Sequence, residues 1–383
     1  MNKDLYLLVK PLKEKSIVWF KNSNTYVLVA HETAEIIKHY FKDPNQLHLN
    51  NWVKERFNLS KQDEEMLLKP VLGLIKQLHL TKSNNTIEES IILKALDDDD
   101  LKIIKYYNIN GTCFKVSYQT ENLAFLIHPK FSHLEGKVNT NHQHHFEVFL
   151  KEDKIVLNVN GNYGGSWSKD NTHYFQGKFS MKLVEKLYNK PESDWLGVFH
   201  ASAISNGHEN ILFLGDSGNG KSTLAALLVS QGYTLFADDF VPVEAKMQQV
   251  YYFPAAISIK EKALETLIPL FPQLKNSPQI DLKYINKSVK YLVAPKLEAT
   301  FETHLPCKKL VFVKYQKGAS LKLSKLTSED AFERLIPDSW LSPLSKNTQH
   351  FMDWFETLSC YSLIYSDNKS MYKCVKELYK DDL

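Results

Sequence analysis

Residues 215–223 read GDSGNGKST and follow the apolar run ILFL. From Gly215 through Gly220 and Lys221 to Ser222 they match G-x-x-x-x-G-K-[ST], a spacing suited to cradling phosphates. The residue types give the reason. Gly215, Gly218 and Gly220 let backbone N–H groups turn inward round phosphate oxygens, where a Cβ would obstruct them. Lys221 can bridge the outer phosphates and Ser222 can offer its hydroxyl to Mg²⁺. Asp216, Ser217, Asn219 and Thr223 complete the stretch that would line a bound phosphate chain.

Next comes YTLFADD, in which an apolar strand ends in Asp238 and Asp239, the first of them 17 residues after Lys221. An acid at the end of a strand beside such a loop is the usual way to hold Mg²⁺. Ser222 and Asp238 are the candidate metal pair. Asp238 or Asp239 is the candidate base toward an incoming hydroxyl, and adjacency leaves that choice open. The segment VFHASAISN, residues 198–206, is expected as one strand, joined through NGHEN to the strand NILFL. His200 within it would orient a carboxylate or a phosphate oxygen; the competing reading is a satisfied core histidine.

Strand, loop and helix must follow one another for this chemistry, and they do. NILFL precedes the loop. STLAALLVSQG follows it, with Leu224, Leu227 and Leu228 on one helical face and Gly232 where a helix end favours a left-handed residue.

The rest of the chain reads as α/β and multi-domain. Residues 1–82 hold a hairpin, IVWF and TYVLV about KNSN, then three helices, a winged-helix-like module. Ser60 should cap the third helix, and Pro70 should kink or split it. Residues 83–100 read as a linker ending in four aspartates, a solvated tip in preference to a cation site. Residues 101–192 read as β-rich, with LKIIKYYNI, TCFKVSY, LAFLIH, HFEVFL and KIVLNVN as strands. Residues 193–383 carry the phosphate loop. His142, His144 and His145 could bind a metal, with His142 and His144 on one strand face, but no third ligand is evident.

Composition excludes several classes. A net charge of +3, with basic residues dispersed, gives no reason to expect nucleic acid or a membrane surface as partner. There is no signal-type segment and no 18-residue apolar run, so the expected location is the cytoplasm. Cys113, Cys307, Cys360 and Cys374 show no metal or redox spacing and fit free thiols. The chain has two arginines, Arg56 and Arg334. A planar guanidinium fork for phosphate is therefore scarce.

FHASAIS, GDSGNGKST and LFADD, in that order and spacing, resemble the kinase domain of the HPr kinase/phosphorylase family. The resemblance is specific over residues 198–240 and looser after it, where KYLVAP, CKKLVFVKY and LSKLTSEDAFERLI are similar to HPr-kinase-like proteins of peptide-modification clusters. It implies a P-loop kinase domain of HPr kinase/phosphoenolpyruvate carboxykinase type, ATP and Mg²⁺ as cofactors, a hydroxyl acceptor, and assembly into a homo-oligomer. GTP or pyrophosphate would fit the loop equally. The N-terminal module, over residues 15–80, resembles the PqqD-like fold that grips leader peptides, which implies a peptide or small-protein acceptor.

Thr223 stands where that family has an acid, and no arginine lies between Arg56 and Arg334 to match its later arginine segment. The chain departs from the pattern at points that serve HPr itself and the reverse phosphorolysis. Lys260 and Lys290 are the candidate substitutes. The expected activity is transfer of the γ-phosphate of ATP to a hydroxyl, serine on a peptide or small protein. Alternatives are a nucleotide-gated peptide binder without turnover and a kinase of free serine.

Overall fold

The computed structural model describes residues 6–80, 100–138, 141–282, 287–295 and 301–380. The linker read at 83–100 and three of its four terminal aspartates lie outside the described residues. The chain is mixed α/β with several sheets. It forms two compact units. One combines Met1–Thr86 with Lys325–Cys360; the other combines Ile87–Ser324 with Tyr361–Leu383.

In the first unit the expected hairpin is present. Ser16–Phe20 pairs antiparallel with Thr25–Val29, and a third strand, Leu7–Pro11, joins its other edge. Helices His31–Lys42, Gln46–Phe57 and Lys61–Leu80 follow. Ser60 Oγ accepts the Asp63 N–H at 3.2 Å, as a cap should. Pro70 does not split the third helix, which is continuous over twenty residues. Leu68, Val71 and Ile75 are buried on either side of the proline, and their packing offsets the lost backbone hydrogen bond. Met66, on the same helix, faces outward and is 69% exposed.

The strand Ser16–Phe20 is buried on both faces. Val18 and Phe20 meet the three helices. The opposite face needs a second cover, and residues from the 325–360 segment provide it. Tyr26 pairs with Trp19 in register, and its ring meets Phe351 edge-on at 5.5 Å and Phe332 at 6.2 Å. Lys10 bonds Asp353 at 3.0 Å, and the Glu14 N–H donates to Glu329 at 2.9 Å.

In the second unit, strands Ile103–Ile109, Thr112–Tyr118, His144–Lys151, Lys154–Val159 and Asn162–Ser168 form a five-stranded sheet in chain order. LAFLIH is not a strand. It lies in the helix Glu121–Phe131, capped by Thr120. An apolar run this short does not distinguish buried strand from buried helix. A second helix, Thr172–Tyr188, packs on the same sheet and was not anticipated.

The larger sheet of this unit runs Thr234–Asp238, Ser202–Ser205, Asn210–Leu214, His304–Tyr315, Gln249–Tyr251, Val241–Glu244, Trp195–Phe199. The strand Asn210–Leu214 is buried throughout and lies parallel to its neighbour His304–Tyr315. The helix Lys221–Ser230 covers it. Leu224 to Val229 are all buried, so this helix is apolar all round instead of on one face. Gly232 takes φ 89° just beyond its end, and its N–H bonds the Val229 carbonyl at 3.1 Å.

Phe351 tests the two-segment unit. Phe351→Ala should destabilise it by about 3–5 kcal/mol. Hydrogen exchange should accelerate in Ser16–Phe20 and Thr25–Val29. Unchanged protection of those strands would contradict the arrangement.

Candidate active site

Two strand breaks form the centre of the site. The chain leaves the strand Trp195–Phe199 at His200 and resumes as Ser202–Ser205. It leaves Thr234–Asp238 at Asp239 and resumes as Val241–Glu244. Phe199 is registered with Val241, and Ser202 with Asp238, so the two breaks lie opposite one another. This corrects the expectation of one strand over residues 198–206. Phe199 and Ser202 have different partner strands, and the bend between them lifts His200 out of the ladder.

The same breaks separate the adjacent acids. Asp238 still belongs to its strand and is 3% exposed. Asp239 takes a left-handed φ of 70°, held by its N–H bonding the Ala201 carbonyl at 2.9 Å. A left-handed conformation costs a residue with a Cβ about 1–2 kcal/mol. It turns the Asp239 carboxylate outward, 44% exposed, against a His200 side chain that is 41% exposed.

His200 Nδ1 lies 2.9 Å from Asp239 Oδ1. Lys130 Nζ lies 3.5 Å from Asp239 Oδ2. Burial opposes the charge on Asp239, but the His200 hydrogen bond and the nearby Lys130 and Lys221 outweigh it. They hold this carboxyl well below its usual range. Asp238 behaves in the opposite way. Burial, then the Asp239 charge, push its carboxyl up, and the Ser202 and Ser222 hydroxyls oppose the rise. Ser202 donates to Asp238 Oδ1 at 2.5 Å. The other oxygen, Oδ2, is buried without a hydrogen-bond partner. Ser222 thus acts on the carboxylate from close by without closing a hydrogen bond to that oxygen.

The glycine loop connects the strand Asn210–Leu214 to the helix Lys221–Ser230. Gly215 has φ 138°, and a Cβ there would come within 2.6 Å of the Val313 carbonyl. Gly220, at φ 96°, starts the helix, and no side chain caps it. The first amide N–H groups of a helix have no intrahelical partner, and here they face the loop. Lys221 is only 8% exposed, and its ammonium donates to the Gly215 carbonyl across the loop. Asn219 Nδ2 donates to Asp216 at 3.3 Å, and the Asn219 carbonyl accepts the Tyr315 N–H at 3.0 Å. Asp216, Ser217 and Gly218 form the exposed rim, while Ser222 and Thr223 are half-buried.

Of the candidate lysines, Lys260 reaches the loop and donates to Ser217 Oγ at 3.3 Å. Lys290 does not. It donates to the Leu274 and Lys275 carbonyls at 2.8 and 3.1 Å, closing a short helical turn. Both arginines belong to the other compact unit. The three histidines each find separate partners. His142 and His145 pair their rings at 5.8 Å, His145 bonds Ser117 at 2.9 Å, and His144 turns to Asn160 at 3.2 Å. Among the described residues no group of three or more His, Cys, Asp or Glu is placed to hold a metal ion.

Lys130 is the site residue that sequence reasoning missed. It lies 109 residues before Asp239, two residues past the run LAFLIH that reads as a strand. A helix cap at Thr120 was the one available signal, and it points to a helix without pointing to this site.

No family model matches the chain, and no curated protein matches it. No described helix is long and apolar enough to cross a membrane. Among solved structures the chain is similar to the Hpr(Ser) kinase/phosphatase from Coxiella burnetii, over 48% of this chain and 95% of that one. The identity is 11% and the TM-score 0.23, a likeness too slight to carry a functional argument.

Asp238 is harder to ionise in the folded chain than in the unfolded one. Stability is therefore lost as pH rises through the range of its carboxyl. Asp238→Asn should raise the melting temperature at pH 7 by about 2 °C or more. The gain should shrink below the ordinary carboxylate range. An equal or lower melting temperature at pH 7 would show that the carboxylate is better satisfied than its surroundings indicate.

Proposed function

We propose that this chain transfers the γ-phosphate of ATP to a hydroxyl group, serine on a peptide or small protein. The observation that carries the reading is a single juxtaposition. A buried carboxylate oxygen without a partner, Asp238 Oδ2, stands beside Ser222 at the uncapped start of the helix that follows the glycine loop.

In this reading the loop from Gly215 to Thr223 receives the triphosphate. Its backbone amides and the helix start supply partial positive charge to the phosphate oxygens. Lys221 exchanges the Gly215 carbonyl for the outer phosphates. Lys260 approaches from the rim through Ser217.

Ser222 and Asp238 fit Mg²⁺, an ion that asks few ligands of a protein when phosphates supply the others. When bound, it would neutralise charge on the phosphate chain. Asp238, with its carboxyl pushed up and its one unpartnered oxygen, is better suited to that pairing than to solvent. Asp239 is the exposed acid, aligned by His200, and stands where an incoming hydroxyl can meet it. A carboxylate held this low is a weak base. Its part is therefore to orient the hydroxyl and accept its proton late in the transfer.

For a peptide acceptor the N-terminal unit offers the strand Thr25–Val29, which has one strand partner among the described residues. An extended peptide can add to such an edge.

A second reading is supported by one feature: neither arginine belongs to the unit that carries the loop. A guanidinium at such a site can be worth about 10³–10⁵ in rate. A site served by ammonium groups alone would fit a nucleotide-gated binder with little turnover.

Incubation with γ-labelled ATP separates the readings. Label on a peptide or small protein supports the proposal, label on free serine indicates a small-molecule kinase, and saturable binding without label indicates the binder. Lys221→Ala should lower transfer at least about 10²-fold, the scale of losing one preorganised charge-stabilising group. Undiminished turnover in that variant would exclude the mechanism.

A further inference from the structure

We infer that Lys130 is a positioning residue of this site and that the helix Glu121–Phe131 is built into the second unit to deliver it. The inference rests on the transfer reading above and deepens it.

The carboxylate of Asp239 is held at both ends. His200 takes Oδ1 at 2.9 Å and Lys130 approaches Oδ2 at 3.5 Å. Either contact alone would leave the carboxylate able to rotate about its last bond. Together they select one orientation, in a residue whose backbone is already committed to a left-handed turn.

The end of the helix that carries Lys130 is fastened to the same bend. The Lys130 carbonyl accepts the Ala256 N–H at 3.0 Å. The neighbouring Phe131 meets Phe253 edge-on at 5.7 Å, and Phe253 meets Phe240 at 4.7 Å. Phe240 is the residue after Asp239 in the chain. The His133 ring, just past the helix, bonds the Pro254 carbonyl. From the other side, His128 Nδ1 lies 2.9 Å from the Tyr107 hydroxyl, and Glu135 stands 3.7 Å from His128 Nε2 and 2.9 Å from Lys105. These contacts fix a helix terminus whose one long cationic side chain points at the acid. That is more anchoring than an incidental surface ion pair has.

Charge explains the need. Phosphoryl transfer requires positive charge around the reacting oxygens, and this unit has ammonium groups but no guanidinium. An ammonium is a point charge without the planar fork of arginine, so it must be placed by the structure around it. Lys221 serves the loop side and Lys130 the acid side. Lys130 acts through Asp239, holding its carboxylate aimed, and does not itself touch the acceptor.

The test uses the full chain, a fluorescent ATP analogue for binding and Mg²⁺-ATP for phosphate release, in the wild type, Lys130→Gln and Lys130→Arg. The wild type should bind the analogue and release phosphate. Lys130→Gln should keep its Kd within about twofold while kcat falls about 10–10²-fold, with melting unchanged. Lys130→Arg should recover most of kcat, because the charge returns. Wild-type kcat in Lys130→Gln would overturn the inference while leaving the transfer reading intact. Equal impairment of both variants with a lowered melting temperature would also overturn it, since packing would then be the cause. A wild type that fails to bind the analogue, or binds it and consumes no ATP even with serine-containing peptide present, ends the transfer reading and this inference together.

Discussion

A carboxylate inside a protein must find hydrogen bonds, a cation or a proton, and one oxygen of Asp238, Oδ2, is buried without a hydrogen-bond partner. The surroundings are arranged about that deficit. Ser202 satisfies one oxygen because the register of the strands Ser202–Ser205 and Thr234–Asp238 places it directly opposite. The other oxygen is left toward Ser222 and the start of the loop helix. Keeping a buried acid in this condition lowers stability.

The neighbouring acid shows how one chain position changes the outcome. Asp239 follows Asp238 directly, yet it is exposed, turned through a left-handed backbone and held low by a histidine and two lysines. Burial raises one carboxyl and cations lower the other, so two identical side chains are shifted in opposite directions. What separates them is the strand break. Because the break at residues 200–201 faces the break at 239–240, His200 and Asp239 meet in space although neither sits in a ladder.

The glycine loop depends on the same sheet. Its strand lies between Ser202–Ser205 and His304–Tyr315, which brings the loop beside both acids. Val313 leaves no room for a side chain at Gly215, and the Asn219 carbonyl is tied to Tyr315. The loop is therefore shaped by the strand next to it as well as by its own glycines. The apolar helix behind it, buried on every side, keeps its uncapped end in place.

Much of this was legible in the residues. The strand, loop and helix around GDSGNGKST follow from apolar runs, glycine spacing and a lysine that apolar surroundings would not otherwise tolerate. The N-terminal hairpin and its three helices follow from β-branched runs and helical spacing, and the Ser60 cap from its side chain. These are local properties, set within a few residues by backbone sterics and periodicity. Other features were decided only by tertiary contacts. LAFLIH folds as a helix because Thr120 caps it and a sheet covers its apolar side, neither of which the six residues reveal. The 325–360 segment joins the N-terminal strands because a sheet buried on both faces needs a second cover, and sequence distance does not limit which segment provides it. The contrast in burial and partners between Asp238 and Asp239, and the arrival of Lys130 from 109 residues away, depend on strand register and helix docking. Side-chain type determines what a residue can do; direction and burial, which only the assembled chain sets, determine which of those things it does.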